Sequence, residues 1–369
     1  MPDLLGQVLK ERYHVESALG RGGMAEVFKV WDQERATYLA LKLLREDMAE
    51  DPVFLRRFRR EAQTLARLQH PNIVRFYGLE QDGLLAFILM EFVDGASLRS
   101  EIFQTQGQGL SLPRILEIMR PVCSALHYAH RQSLIHCDLK PGNVMIDKTG
   151  RILLADFGIA RVADGSTSTM IGAGTPAYMA PELALGHEPS PQTDIYALGV
   201  MLFEMLTGGE RPYTGEHANT KGSTFEKVRW EQLNQAVPSV RQLKPTLPLD
   251  LDAVLARCLD KNPEGRFATP LEFLNALVLA TGGVPDSPKT LQLSPADLGI
   301  KEKTGPVDAA PVRAEAPLPP PAADQPPKKS RNRLLLGIGA LVLLCVVCVV
   351  IPAVIFALNY FFNNYNIVW

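Results

Sequence analysis

Regular spacing of apolar and polar residues marks the first part of the chain, up to about residue 280. Three segments have the composition of β-strands, residues 13–20, 25–32 and 37–44. Residues 51–68 are predicted to form a helix, because their apolar residues recur at helical spacing. These apolar residues are Phe54, Phe58, Leu65 and Leu68.

A second pattern is the run over 334–358, which has no charged residue. At 1.5 Å per residue a helix of this length extends about 37 Å, whereas the hydrocarbon core of a bilayer is about 30 Å thick. We therefore predict one transmembrane helix, in which Pro352 is tolerated as a kink. A buried core helix is the alternative, but such helices rarely exceed about 14 uncharged residues.

The charges beside this run predict its orientation. Basic residues crowd its N-terminal flank, and the tail over 359–369 has no charged side chain. The positive-inside rule then places the N-terminal region in the cytoplasm and the tail outside the cell, where its aromatic rings suit the interface. The basic residues are Lys328, Lys329, Arg331 and Arg333, and the aromatic residues are Tyr360, Phe361, Phe362, Tyr365 and Trp369.

Between these two patterns, residues 281–333 are rich in proline and alanine and lack aromatic residues. Such a stretch buries too little apolar area to offset its conformational entropy, so we predict a disordered, extended linker. The chain is thus divided into a folded domain over 1–280, a linker, a transmembrane helix and a short tail.

Composition supports one large folded domain and disfavours some functions. The chain has 369 residues, of which 46% are hydrophobic and 21% charged, enough for a sizeable core. A net charge of −2 gives no electrostatic case for nucleic acid as a partner. The five cysteines lack the spacing of paired metal ligands and are expected to be reduced thiols in the cytosol. The first residues, MPDLLGQVLKERYHV, do not form a signal-peptide pattern.

Some residues in the first part of the domain suit phosphate binding. Gly20, Gly22 and Gly23 lie in a turn between two predicted strands, where backbone N–H groups could approach phosphate oxygens without Cβ clashes. Lys42 lies on the third predicted strand, and Glu61 on the predicted helix could pair with it. The alternatives are an ordinary hairpin, an exposed lysine and a solvated glutamate.

Further along the chain, three residues suggest a metal-dependent site. Asn143 and Asp156 offer oxygen ligands, which Mg²⁺ prefers, and Asp138 would accept a proton from an attacking hydroxyl. Such residues at turns are often only turn formers. The histidines are scattered without ligand spacing, and we interpret them as packing residues and not metal ligands: His70, His130 and His136.

The order of these motifs resembles that of the protein kinases. A glycine-rich turn, a strand lysine, a helix glutamate, H-x-D-x-x-x-x-N, D-F-G and A-P-E follow one another. Over about residues 10–280 the chain is similar to bacterial eukaryotic-like (Hanks-type) Ser/Thr protein kinases. The resemblance implies an α+β, bilobal fold with ATP between the lobes. An N-lobe over about 10–93 would have a five-stranded antiparallel sheet and helix C, and a C-lobe over about 94–280 would be mainly helical.

The resemblance also implies which residues bind the nucleotide. Lys42, paired with Glu61, would contact the phosphates of ATP. Asn143 and Asp156 would hold Mg²⁺, with Mn²⁺ as an alternative metal. The apolar residues near adenine are equally consistent with core packing. The remaining ATP-binding residues would be Leu19, Gly20, Gly22, Gly23, Val27, Ala40, Met90, Glu91, Val93 and Met145.

For catalysis, the resemblance implies that Asp138 is the base. Lys140 would steady the γ-phosphate, and Thr175 would brace the catalytic aspartate. Other matching residues would stabilise the C-lobe and take no part in the chemistry. They are Glu182 with Arg266, as an ion pair, and Asp194, which would hold the catalytic loop.

One departure from the family pattern is Cys137, where many kinases have an arginine that grips a phosphate on the activation loop. Because that arginine does no chemistry, we predict an active enzyme with altered regulation. Thr167 and Thr169 match the autophosphorylation sites of the family, and Arg161 is where a second phosphate ligand usually lies. A redox-sensitive Cys137 thiol is the alternative.

These observations predict a membrane-anchored Ser/Thr protein kinase that uses ATP and Mg²⁺. Its partners would be proteins with Ser or Thr, the lipid bilayer through one helix, and a second copy of the chain for autophosphorylation in trans. The alternative is a nucleotide-binding pseudokinase that acts as a membrane scaffold. A transmembrane sensor is disfavoured, because only about eleven residues would project outside the cell.

Overall fold

The computed structural model describes residues 4–21, 25–44, 56, 65–157 and 176–283. Their elements form a β-rich N-lobe and a mainly helical C-lobe, which confirms the bilobal prediction. The predicted helix C over 51–68 lies mostly outside the described residues, as do the predicted transmembrane helix and tail. Among the helices in the described part, none has the length and apolar character needed to cross a bilayer.

The N-lobe is built on one antiparallel sheet. Its strands are β1 Val8–Leu9, β2 Tyr13–Arg21, β3 Ala25–Asp32, β4 Thr37–Leu44, β5 Phe76–Asp82 and β6 Leu85–Glu91. Their order across the sheet is β1-β2-β3-β4-β6-β5. The three strands predicted from the sequence are confirmed as β2, β3 and β4. The prediction of five strands was wrong, because the short β1 pairs with β2 and makes this a 6-stranded sheet.

The sheet curls until its two edges meet. Although β1 and β5 lie at opposite edges, the backbone N–H of Lys10, just after β1, donates to Asp82 Oδ2 at 2.6 Å. The Lys10 ammonium lies 3.1 Å from the carboxylate of Glu80, which also accepts a hydrogen bond from Tyr13 at 2.9 Å. Apolar side chains fill the inside of the curl, among them Leu4, Val30, Leu41 and Phe87.

The C-lobe is organised around one buried helix. Its helices are α1 Leu98–Gln104, α2 Leu112–Arg131, α3 Pro181–Ala184, α4 Pro191–Thr207, α5 Thr224–Asn234, α6 Asp250–Cys258 and α7 Pro270–Ala280. Every residue from Thr193 to Thr207 is buried, and α2 and α6 pack against this helix. A helix that is apolar on nearly all sides is stable only when it is surrounded. Gly208 ends α4 with a φ of 80°, a conformation that favours glycine.

A small antiparallel sheet connects the two lobes. It comprises β7 Gly95–Ser97, β8 Val144–Asp147 and β9 Ile152–Leu154. The backbone N–H of Leu154 donates to the Asn72 carbonyl at 2.8 Å, and the N–H of Val74 donates to the Leu154 carbonyl at 3.0 Å. Because residues 72–74 lead into β5, these bonds bring the end of β9 next to the N-lobe sheet.

Candidate active site

Lys42 and Asp156 form an ion pair that joins the N-lobe sheet to the segment after β9. Lys42 lies on β4, opposite Val27 of β3 and Ile88 of β6. Its Nζ atom lies 2.8 Å from Oδ1 of Asp156, which follows β9 by two residues. Asp156 has a φ of 61°, which is uncommon for a residue other than glycine and is typical of functional sites. The pair brings a predicted phosphate-binding lysine to a predicted metal ligand.

The charge state of Asp156 results from two opposing effects. Burial would raise the pKa of its carboxyl group, but the nearby Lys42 ammonium outweighs burial and holds this pKa below its usual range. His136 and Lys140 add smaller effects in the same direction. Asp156 is therefore ionised at neutral pH, as a metal ligand must be.

Three predicted catalytic residues meet in the loop between α2 and β8. The Lys140 ammonium donates to Asp138 Oδ2 at 2.6 Å, and the Asn143 amide nitrogen donates to the same oxygen at 3.0 Å. That nitrogen also donates to the backbone carbonyl of Asp138 at 2.8 Å. Because its nitrogen makes both bonds, the Asn143 amide has its oxygen directed away from Asp138. No described residue donates a hydrogen bond to Oδ1 of Asp138. Of the two carboxylate oxygens of Asp138, Oδ2 thus accepts both of these side-chain hydrogen bonds.

A buried carboxylate holds this loop in place. Asp194, on α4, is 1% exposed and accepts hydrogen bonds from the backbone N–H groups of His136 and Cys137, both at 2.9 Å. Nε2 of His130 lies 2.7 Å from the same carboxylate. Cys137 has a φ of 63°, so the bond from its N–H stabilises a backbone conformation that costs free energy. These are the backbone hydrogen bonds expected for Asp194.

The ring of His136 links the loop to the segment after β9. Its Nε2 donates to the carbonyl of Ala155 at 2.9 Å, and its Nδ1 accepts the N–H of Asp138 at 3.3 Å. The buried ring packs against Phe157 with centroids 4.6 Å apart. The N–H of Ala155 donates to the Asn143 carbonyl at 2.8 Å. His136 is therefore a packing residue, as predicted, and it fixes the loop relative to Asp156.

The predicted adenine-binding residues lie on strands from both lobes. Met90 of β6 pairs with Ala40 of β4, and Met145 lies on β8. The N–H of Glu91 donates to the Arg75 carbonyl at 2.8 Å, so it is not available to a ligand. Adenine would have to use other backbone groups of this segment. The remaining described residues of the predicted pocket are Leu19 and Gly20 on β2, Val27 on β3, and Val93 between β6 and β7.

Several predicted residues lie outside the described part of the chain, and their roles stay predictions. The Lys42–Glu61 pair is one of them, whereas the described contact of the Lys42 ammonium is with Asp156. The residues concerned are Gly22, Gly23, Glu61, Arg161, Thr167, Thr169 and Thr175.

Two polar contacts near the loop were not found from the sequence. The hydroxyl of Tyr178 donates to the carboxylate of Glu204 on α4, 26 residues away. Arg151 lies 2.6 Å from Glu91, 60 residues away. No motif or fixed spacing connects these partners, so only the fold brings them together.

Comparison with known proteins agrees with this geometry. A family model described as the protein kinase domain matches residues 13–276. The serine/threonine-protein kinase PknB of Mycobacterium tuberculosis is 40% identical over 292 residues, which cover 77% of this chain and 45% of that protein. The serine/threonine-protein kinase PrkC of Bacillus subtilis is 37% identical over 268 residues, which cover 72% of this chain and 40% of that protein. The chain thus spans less than half the length of these relatives.

A solved structure shows the same fold. The crystal structure of the Mycobacterium tuberculosis PknI kinase domain is 31% identical, with a TM-score of 0.60, and the match covers 75% of this chain and 98% of that domain. The family match contains the glycine-rich turn, the catalytic loop and Asp156. The chain therefore belongs to the protein kinase family.

Proposed function

We propose that this kinase domain transfers the γ-phosphoryl group of ATP to Ser and Thr hydroxyls of proteins. The observation that carries the proposal is the contact of both Lys140 and Asn143 with the carboxylate of Asp138. The names of the relatives, PknB and PrkC, as serine/threonine-protein kinases support this acceptor class. Autophosphorylation would use Thr167 and Thr169 as acceptors, in a second copy of the chain.

The contacts of Asp138 suit a catalytic base. Because Lys140 and Asn143 occupy Oδ2, Oδ1 would accept the hydrogen bond of the acceptor hydroxyl. As the hydroxyl oxygen bonds to the γ-phosphorus and the bond to ADP breaks, the proton passes to Asp138. The Lys140 ammonium would neutralise charge on the transferred group. Catalysis of phosphoryl transfer depends mainly on such positioning and charge neutralisation.

Asn143 and Asp156 fit a divalent metal. Both offer oxygen atoms, and Asp156 is ionised beside Lys42. The described residues contain no group of three or more His, Cys, Asp or Glu side chains suited to a metal, so phosphate oxygens and water would complete the coordination. Mg²⁺ held there would neutralise charge on the β- and γ-phosphates. Mn²⁺ accepts the same kind of ligands.

A nucleotide-binding pseudokinase is the second candidate, and Cys137 is the residue that favours it. The side chain at this position differs from the usual arginine, but the backbone N–H of Cys137 still donates to Asp194. The retention of Lys42, Asp138 and Asp156 supports an active enzyme, since a scaffold has no need of all three.

The test is transfer of labelled γ-phosphate by purified Lys42→Met, Asp138→Asn and Asp156→Asn variants in the presence of Mg²⁺. Each variant should lose on the order of 10²-fold or more in rate, because each removes a group that positions or neutralises the reacting phosphate. Asp250→Asn, at the exposed first residue of α6, is the matched control and should keep wild-type activity. An inactive wild type that binds ATP would favour the pseudokinase.

We further infer that one helix over 334–358 anchors the protein in the cell membrane, with the kinase domain in the cytoplasm and the C-terminal tail outside. The uncharged run and the basic residues on its N-terminal flank support this topology.

A further inference from the structure

The surface beside the catalytic loop includes an exposed arginine. Arg99, on α1, is exposed, and α1 packs against the turn Pro141–Asn143. Its Nε atom would lie 3.7 Å from a Cβ placed on Gly142, and no other atom would lie within 4 Å. Gly142 is four residues after Asp138, so this guanidinium flanks the loop that would receive the acceptor hydroxyl.

A second arginine shares this surface. Arg99 and Arg211 both act by charge on Tyr178 and on Glu204, which are hydrogen-bonded to each other. Arg211 follows α4 and is exposed. Within the described residues, neither arginine forms a hydrogen bond or an ion pair. Two exposed guanidinium groups therefore act by charge on one buried Tyr–Glu pair.

The nearby acidic groups do not cancel this charge. Glu204 is 8% exposed, accepts the bond from Tyr178, and has a pKa raised by burial. Glu101, two residues after Arg99, is held by Arg114 in two bonds of 2.8 and 2.9 Å. Glu210 is exposed and precedes Arg211, but it is not among the groups that act by charge on the Tyr–Glu pair. Among these acidic groups, Glu204 and Glu101 thus have partners other than Arg99 and Arg211.

We propose that Arg99 and Arg211 form a recognition site for a carboxylate side chain next to the Ser or Thr that accepts phosphate. The inference rests on the proposed function and names the acceptor sequences that the site would select. A guanidinium binds a carboxylate through two parallel hydrogen bonds, and the absent side chain of Gly142 leaves room beside Arg99. A lysine or arginine of the substrate would instead meet two like charges.

The test uses the purified full chain and peptides that each contain a single Thr. The residues on one side of this Thr are acidic (Asp and Glu), neutral (Ala and Gln) or basic (Lys), and each class is made with these residues before or after the Thr. We expect kcat/KM to be highest for an acidic peptide and lowest for a basic one. Arg99→Glu and Arg211→Glu should each lower the acidic-to-neutral ratio about tenfold, as expected for one charge-assisted hydrogen bond. Arg67→Glu, at an exposed position of the N-lobe, is the matched control and should leave the ratio unchanged.

A second variant keeps both arginines. Gly142→Glu has room for its Cβ and places a carboxylate beside Arg99, so it should also lower the acidic-to-neutral ratio. Equal use of all peptides, a preference for basic ones, or an unchanged ratio in Arg99→Glu and Gly142→Glu would overturn the recognition site while the kinase proposal stands. Absence of transfer to any peptide or protein would refute the kinase proposal, and the recognition site with it.

Discussion

At Cys137 a backbone hydrogen bond secures the catalytic loop. Its N–H donates to Asp194 at 2.9 Å and holds a left-handed φ of 63°. Every residue except proline has the backbone N–H that makes this bond, so an arginine is not needed to shape the loop. Arginine at this position would add only hydrogen bonds from its guanidinium group to a phosphate on the activation loop. This separation of loop geometry from phosphate sensing is the physical basis for expecting activity with altered regulation.

We predict that removal of Thr167 and Thr169 lowers wild-type activity only modestly. In Cys137→Arg the same removal should lower activity ten- to a hundredfold more, because a charged hydrogen bond contributes a free energy of that size. The measurement is phosphotransfer by each background with and without Thr167→Ala plus Thr169→Ala. Cys137→Ser, which adds no charge, should behave like the wild type. The idea fails if removal of the threonines silences the wild type as completely as Cys137→Arg.

His70 should make stability depend on pH. Its ring is 8% exposed, accepts the N–H of Asn72 at Nδ1 and contacts Ser124 through Nε2. Burial lowers the pKa of His70 to about 4. Since the unfolded value is about 6.5, the folded protein binds fewer protons between these values, and the free energy of unfolding falls as the pH falls through this range.

By about pH 5 this loss should reach about 2 kcal/mol relative to neutral pH. Urea unfolding of the wild type and of His70→Gln at both pH values measures it. The lowered pKa of His127 affects both proteins alike and cancels in the comparison. An equal change in the two proteins would show that His70 is not the titrating group.

At the scale of elements, one buried ion pair ties α3 to the segment before α7. Arg266 donates to the two carboxylate oxygens of Glu182 at 2.9 and 2.7 Å, and Thr193 of α4 donates to one of them at 2.8 Å. Burial would raise the pKa of Glu182, but Arg266 outweighs it and holds the pKa below its usual range. The predicted structural pair is thus confirmed as a charged, fully bonded contact between elements.

Glu182→Gln should lower the free energy of unfolding by about 3–5 kcal/mol, because it leaves the Arg266 guanidinium buried without a counter-charge. Denaturant unfolding followed by circular dichroism measures this. The control is Asp94→Asn, which breaks the exposed pair with Lys148 and should cost less than about 1 kcal/mol. Similar losses in the two variants would mean that the buried pair contributes no more than a surface pair.

At the scale of the whole molecule, the described residues form a domain with a separate apolar core in each lobe. The last helix, α7, packs against α2, and the Thr281 hydroxyl donates to the Leu277 carbonyl at 3.1 Å after its end. The end of the described domain, through Thr281, is therefore held by contacts among described residues.

We predict that a fragment of residues 1–283 folds, phosphorylates substrate and remains in the soluble fraction, whereas the full chain sediments with membranes. Fractionation and kinase assays of both proteins measure this. Protease added outside intact cells should leave the kinase region of the full chain uncut, because the proposed topology places it inside. An unfolded fragment would show that the boundary is wrong, and cleavage of the kinase region from outside would overturn the topology.

The sequence by itself determined the strands β2, β3 and β4 and the order of motifs that shows the family. Alternation of side chains and short motifs are local properties, readable within one segment. Only the tertiary structure decided that Lys42 contacts Asp156, 114 residues away. It also decided the sixth strand and the approach of Arg99 to Gly142. Such contacts depend on how elements distant in the chain pack together, and local periodicity carries no information about that packing.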